Sequence, residues 1–546
     1  MLWHHTCRNE LRELLVHIWT GLTDAQALSL SQTLLKGPPR RFYRSDIPPM
    51  DIEEISKDAI RERLAVIATT GRALPADAAE FLRVADLARA AERVFSPEQE
   101  EPIRDLTIPN IADILRNGFS PTGRYCQQWK DLASNDLPRA VGVLGHLAGL
   151  GAWPTDIWSV ALGQAVMLVS GSDADHGVFP LLELVLAAPD NVVAENLHSL
   201  TLVLHFLPNL KAPAADTLFW RLWDRAFGIG RQSAEGEPTV ESVEAALNAP
   251  VGRLTDELFD WAGKRAEDGD AEPFWKRLEK ACGTGSAGRA ARALAAIRTA
   301  WLFEGRPEWT RTTLLPCFDW KLSDEAKLVW KGFTFGATFT PSLWSALSKD
   351  FLATFDNLGQ LDVEAVRVFY QLIGRIVIHE PTWLTDGEAQ LIVTRAPHVG
   401  REQIAWIFWT DLDAAGEKAG SLWRDRIGPW LSACWQPDEA LKAPDTSMNL
   451  IRVALAAGDA VPEAVDTVLP RISPLDSPEG VIFLLAQSKA PEEFPPATVK
   501  LLDRAILRSR SFYKGDLQEL LGRIASAWAE ARHDPRFRNF SDFAAG

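Results

Sequence analysis

The sequence has few cysteines and no disulfide pattern. Cys7, Cys126, Cys282, Cys317 and Cys434 are five in 546 residues, odd in number and without a paired spacing. This argues against a disulfide framework and a CxxC metal knuckle, and it predicts reduced thiols in a cytoplasmic setting. Long apolar runs are also missing. The most apolar region, 140–210, is cut by Pro154, Asp156, Asp173, Asp175, Pro180 and Pro189 into pieces shorter than the ~20 residues that a spanning helix needs. The opening MLWHHTCRNELREL has no basic start, apolar middle or small-residue cleavage site, so a signal peptide is not expected. Basic clusters stop at Lys36, Arg40, Arg41 and Arg44 in a chain of net charge −16, and no nucleic-acid footprint is visible. Period-two alternation is nearly absent, RIVIHE at 375–380 being the one short candidate strand. There is no GxSxG elbow, Walker loop or isolated Cys beside an evident base, so no catalytic residue is assigned and no cofactor or metal is expected.

What is present is helical punctuation. Leu11, Leu14, Leu15, Ile18, Trp19 and Leu22 follow the i, i+3, i+4, i+7 pattern of one helical stripe. Thr23 to Gln26 and Thr385 to Glu388 are capping boxes, and Gly37-Pro38-Pro39 ends the helix that the first one starts. Pro97 and Pro341 each stand where a helix would open. The stretch 306–352 is the most individual, with Trp309, Trp320, Trp330 and Trp344 among Pro-marked breaks, and Ser323-Asp324-Glu325 reads as an N-cap followed by an acidic first turn. Leu517, Leu520, Leu521, Ile524 and Trp528 form a late stripe, after which the tail beyond Arg532 is expected to fray. The 34 prolines are spread over the whole length at the spacing of helix–turn–helix units. The predicted fold is all-α, a degenerate HEAT- or armadillo-like solenoid. It divides near the Gly-rich 230–238 stretch into an N-terminal array, 1–235, and a Trp-rich C-terminal array, 236–546.

Few constellations suggest chemistry. Gly283, Gly285 and Gly288 spell GxGxxG, but the charged, helix-like EPFWKRLEKAC precedes them where a dinucleotide fold needs an apolar strand, so a helix–helix loop is expected. His198 and His205 are seven apart and unaccompanied in sequence, and read as structural histidines. Asp173-Ala174-Asp175-His176 lacks the Gly and closing Glu of a calcium loop. Of the 21 tryptophans, Trp406 and Trp409 in IAWIFW are expected inside, whereas Trp423, Trp430 and Trp435 around Pro429 are candidates for an exposed, partner-binding face. Leu11, Leu15, Ile18 and Trp19 are the other candidate docking surface, the competing reading being that this helix caps its own array.

Six segments carry a resemblance: LLKGPPRRFYR at 34–44, RERLAVIATTGRALPADAAEFL at 61–82, ALNAPVGRLTDEL at 246–258, WTRTTLLPCFDW at 309–320, WKGFTFGATFTPSLWSALSKDFL at 330–352 and AVPEAVDTVLPRISPL at 460–475. In order and spacing they resemble the C-terminal helical region, a domain of unknown function, of bacterial anti-phage defence proteins in which a sirtuin-like NAD-hydrolysing domain comes first. No stretch here matches the sirtuin part's nucleotide loop or its catalytic His and Asn, so no catalytic residue carries over. The resemblance implies a scaffold or sensor that binds a protein partner, either an effector domain or a phage protein. The NAD-consuming effector would lie on a separate domain or gene. The competing reading is a hydrolase or nuclease whose site is assembled from distant residues.

Overall fold

The computed structural model describes residues 15, 17–39, 49–68, 70–83, 102–119, 124–170, 178–210, 213–234, 240–265, 271–475, 477–506 and 515–545. Among these the chain is all-helical, with no strand. The expected strand at 375–380 lies instead at the end of helix Val363–His379, where Ile376, Val377 and Ile378 are all buried. A short apolar run enclosed on every side reads alike as buried strand or buried helix, and here the 17-residue length decides for helix.

Two compact units make up the chain, Met1–Asp105 and Leu106–Gly546. The expected division near 235 is not one. Helix Pro213–Ala234 packs on Pro250–Arg265, and the Trp223 indole Nε1 donates to the Leu254 carbonyl at 2.7 Å across that join. A Gly-rich polar stretch therefore joins two packed helices here.

In the first unit, helices Asp24–Leu35 and Pro49–Ala68 close on a core of Leu15, Trp19, Ala27, Leu34, Ile60, Leu64, Ile67 and Ala78. The Thr23–Gln26 capping box forms as the sequence predicts. Gly37, at φ +71°, makes the left-handed turn that ends the helix.

In the second unit each helix of one row packs on the next. The row runs Thr155–Ser170, Leu197–Phe206, Pro250–Arg265, Gly285–Ile297, Ser323–Thr334, Val363–His379, His398–Ala415, Pro444–Leu455, Val461–Val468, Pro495–Ala505 and Pro535–Ala545. Small residues set the closest crossings. A Cβ on Gly400 would stand 2.4 Å from the Tyr370 ring, and one on Gly332 would stand 2.3 Å from the Ala293 carbonyl. Of the GxGxxG residues only Gly283 lies in a helix–helix connection, while Gly285 opens the next helix, Gly285–Ile297, and Gly288 is buried within it; Arg292 donates to the carbonyls of Cys282 and Gly283. The expected frayed tail is a helix, Pro535–Ala545, because Phe537, Phe540 and Ala544 bury one face of it.

Within 306–352 the aromatics converge on Trp330, which is fully buried. Phe318, Phe333, Phe351 and Phe369 ring it at centroid distances of 4.6–6.2 Å, and its Nε1 donates to the Phe318 carbonyl at 3.0 Å. Ser323 is the first residue of its helix rather than the cap, with Leu322 in the cap position.

A second device recurs: arginines reach back to main-chain carbonyls at helix ends. Arg401 serves the carbonyl of Ala396, which caps helix Asp386–Arg395. Arg471 serves Trp435, which caps Gly428–Cys434, and Arg523 serves Ser488, which caps Pro478–Gln487. Arg72, Arg225 and Arg265 do the same at Trp19, Ala188 and Leu210. The last carbonyls of a helix have no intrahelical donor, and a cation there also meets the negative end of the helix dipole.

Candidate functional site

Of the candidate partner-binding residues, the structure withdraws most from the surface. Leu15 is 1% exposed and Trp19 is 0%, both inside their own unit's core, so the opening stripe is not a free docking face there. An apolar stripe this wide finds its partners on its own chain. Ile18 is half-buried, and Leu11 lies outside the described residues. Trp423 and Trp435 are buried, whereas Trp406 and Trp409, expected inside, are half-buried, Trp409 beneath the Arg452 guanidinium at 4.8 Å. For Trp423 and Trp435 the setting is a backbone irregularity. Pro429 cannot donate and its ring crowds the carbonyl four residues back, and the chain accommodates this with a π-helical turn at Trp423–Ile427 that changes the helical register around it.

Trp430 is the exception. Half-buried, it lines a cleft of about 240 Å³ together with Ile376, Leu384, Asp386, Asp425 and Arg426. Its ring stands edge-on to Phe408 and to Trp435, at 5.3 and 6.5 Å. Its indole Nε1 is buried without a hydrogen-bond partner. A buried indole N–H ordinarily finds an acceptor, so this one is a vacant donor in the wall of a cleft that also carries two carboxylates and a guanidinium. Asp386 and Glu388 occupy the first turn of helix Asp386–Arg395, whose Thr385 capping box is formed as predicted.

Cys434, buried behind this cleft, has its Sγ 3.8 Å from the Asp386 carbonyl. Burial first, and the Asp386 carboxylate second, push its thiol up to about 11. At pH 8 about one such thiol in a thousand is ionised, against roughly a quarter at the ordinary value. Iodoacetamide should therefore alkylate Cys434 roughly two hundredfold more slowly in the folded than in the denatured chain. Peptide mass spectrometry measures both rates, and equal rates would contradict the buried placement.

A wider groove of about 540 Å³ runs past the exposed Phe335 and Val363. Its cation, Lys331, is already held between Asp362 at 3.0 Å and Glu244 at 3.4 Å.

The structure also joins groups that are far apart in sequence. His205, on Leu197–Phe206, meets Glu257 and Asp260, which lie three residues apart and hence on one face of Pro250–Arg265. Its Nδ1 is 2.6 Å from Asp260 Oδ2 and 3.3 Å from Glu257 Oε2. Burial, followed by the carboxylates of Asp260 and Asp256, pushes Glu257 up to about 8 against the pull of Lys264. His198, by contrast, sits against Arg253. The Asp173–His176 loop lies outside the described residues. Sequence reading missed the cluster because a lone His and an ExxD pair 52 residues later are each unremarkable. The ExxD spacing beside a histidine-bearing helix was the available signal.

No described helix is long and apolar enough to cross a membrane. No family model matches the chain. It is 24% identical over 389 residues to the uncharacterized protein y4cA of Sinorhizobium fredii, covering 68% of this chain and 30% of that protein. The chain thus spans under a third of the length of the curated relative it matches.

Proposed function

We propose that this chain is a non-catalytic scaffold or sensor, a degenerate helical-repeat solenoid of the HEAT or armadillo kind, that docks a protein partner at the Trp430 cleft. The unbroken row of helices, each packed on the next, supports the repeat reading, because such arrays add units without needing a central core. The observation that carries the docking role is the vacant Trp430 indole donor beside Asp386 and Asp425. A peptide segment offers the complement: a main-chain carbonyl for the N–H and a basic side chain for the carboxylates. The resembling segments support reading this module as part of a bacterial anti-phage defence system, with NAD-consuming chemistry on a separate domain or chain.

Co-expression with the products of neighbouring genes, sirtuin-like ones first, tests this reading. Trp430→Phe keeps the ring and removes the donor, and should weaken association at least tenfold, as should Asp425→Asn. Association unchanged by both variants would dismiss the cleft. Turnover of NAD, nucleotides or DNA by the clean chain would dismiss the non-catalytic role.

A further inference from the structure

We infer that His205, Glu257 and Asp260 form a site for one divalent transition-metal ion of the zinc class, an assignment independent of the scaffold reading. The donor set is one imidazole and two carboxylates, the ligand types that zinc takes alongside thiolate. The three ligand atoms lie within 4.8 Å of one another. Atoms each about 2.0–2.2 Å from one ion stand roughly 3–3.5 Å apart. The His205–Glu257 separation of 3.3 Å already meets that spacing. The His205–Asp260 separation of 2.6 Å is that of a proton-bridged pair, which opens by some tenths of an ångström when the metal displaces the Nδ1 proton to solvent.

Two further observations point to a cation. Glu257 Oε2 is buried without a hydrogen-bond partner, facing a histidine that bonds elsewhere. An ionised carboxylate oxygen taken from water and left unpaired is costly, a cost that either a proton or a bound metal ion relieves. The surrounding charge is also unbalanced toward acid. Asp256 is matched by Arg298 at 3.1 Å, while Lys264 donates to the His205 carbonyl at 2.8 Å and is 3.9 Å from Asp260. Glu257 is thus left without a close cation of its own. The His205 side chain is 40% exposed and that of Asp260 31%, which leaves an entry path and open coordination positions for water.

The test uses the full chain, stripped with a chelator and titrated with Zn²⁺ by calorimetry and with Co²⁺ by absorption spectroscopy. One saturable site per chain is expected, with Co²⁺ d–d bands and no thiolate charge-transfer band, and Zn²⁺ should raise the unfolding midpoint. His205→Ala, Glu257→Gln and Asp260→Asn should each weaken Zn²⁺ at least about tenfold. His198→Ala should bind normally. Absence of saturable binding, a thiolate band, or affinity retained by the triple ligand variant would each overturn the assignment. Should a variant fail to fold, the Co²⁺ spectrum of the unaltered chain still decides.

Discussion

Trp330→Ala is expected to destabilise the Leu106–Gly546 unit by about 3–5 kcal/mol, the usual cost of deleting a large buried aromatic side chain. The residue is wholly buried against four phenylalanines, one from its own helix and three from separate segments, each held by contacts of its own. The substitution also strands the Phe318 carbonyl that the indole N–H serves. Trp330→Phe should cost less, about 1–3 kcal/mol, since it restores ring volume but not the donor. Guanidinium unfolding followed by far-UV circular dichroism gives both values. A midpoint for Trp330→Ala within error of the unaltered chain would mean that the aromatic cluster is not the core of this stretch.

Arg471→Met should be comparably damaging, at about 3–5 kcal/mol, although it exchanges a charge for an apolar chain of similar length. Arg471 is 8% exposed and has no carboxylate beside it among the described residues. Its guanidinium donates instead to the carbonyls of Trp435, Thr467 and Leu431, and removing it takes a donor from all three, leaving Leu431 only the Trp435 N–H. Burial lowers the Arg471 pKa, yet an arginine stays charged at any physiological pH, so the loss should not vary between pH 6 and 8. Arg471→Lys should rescue poorly, because one ammonium cannot span acceptors that a planar fork reaches from two sides. Full stability in Arg471→Lys would show that charge, rather than fork geometry, is what the site requires.

How much was legible in advance follows from which interactions write themselves into local sequence. Both capping boxes, the Pro341 helix start and the Leu517–Ile524 stripe are local patterns, and each formed where its residues predict. Burial of individual tryptophans was not legible. Trp435 is buried beyond a π-helical turn ahead of Pro429, a turn that shifts the helical register and has no sequence signature beyond the proline, while Trp406 is half-buried on the helix before it. The place where the chain divides was misread for a related reason: Gly and Ser mark a loop equally well between packed helices and between units. The Trp430 cleft was half legible, since the tryptophan stood out but its neighbours Asp386 and Asp425 come from turns 39 residues apart. Of the His205 cluster only the ExxD spacing was legible, because its members meet only once two helices are packed.

The arginine clasps bear on how such a chain can diverge. A salt bridge ties two positions together, so a change at one selects for a change at the other, and the pair leaves a correlated trace across descendants. A clasp on a main-chain carbonyl ties down one position only. Ala396, Trp435 and Ser488 present the same oxygen whatever side chain they bear. As acceptors their identities are free to drift while Arg401 and Arg471 are held, so those joints of the array can persist through extensive substitution without a covarying acid by which to find them, whereas Arg523 is also paired with Glu492.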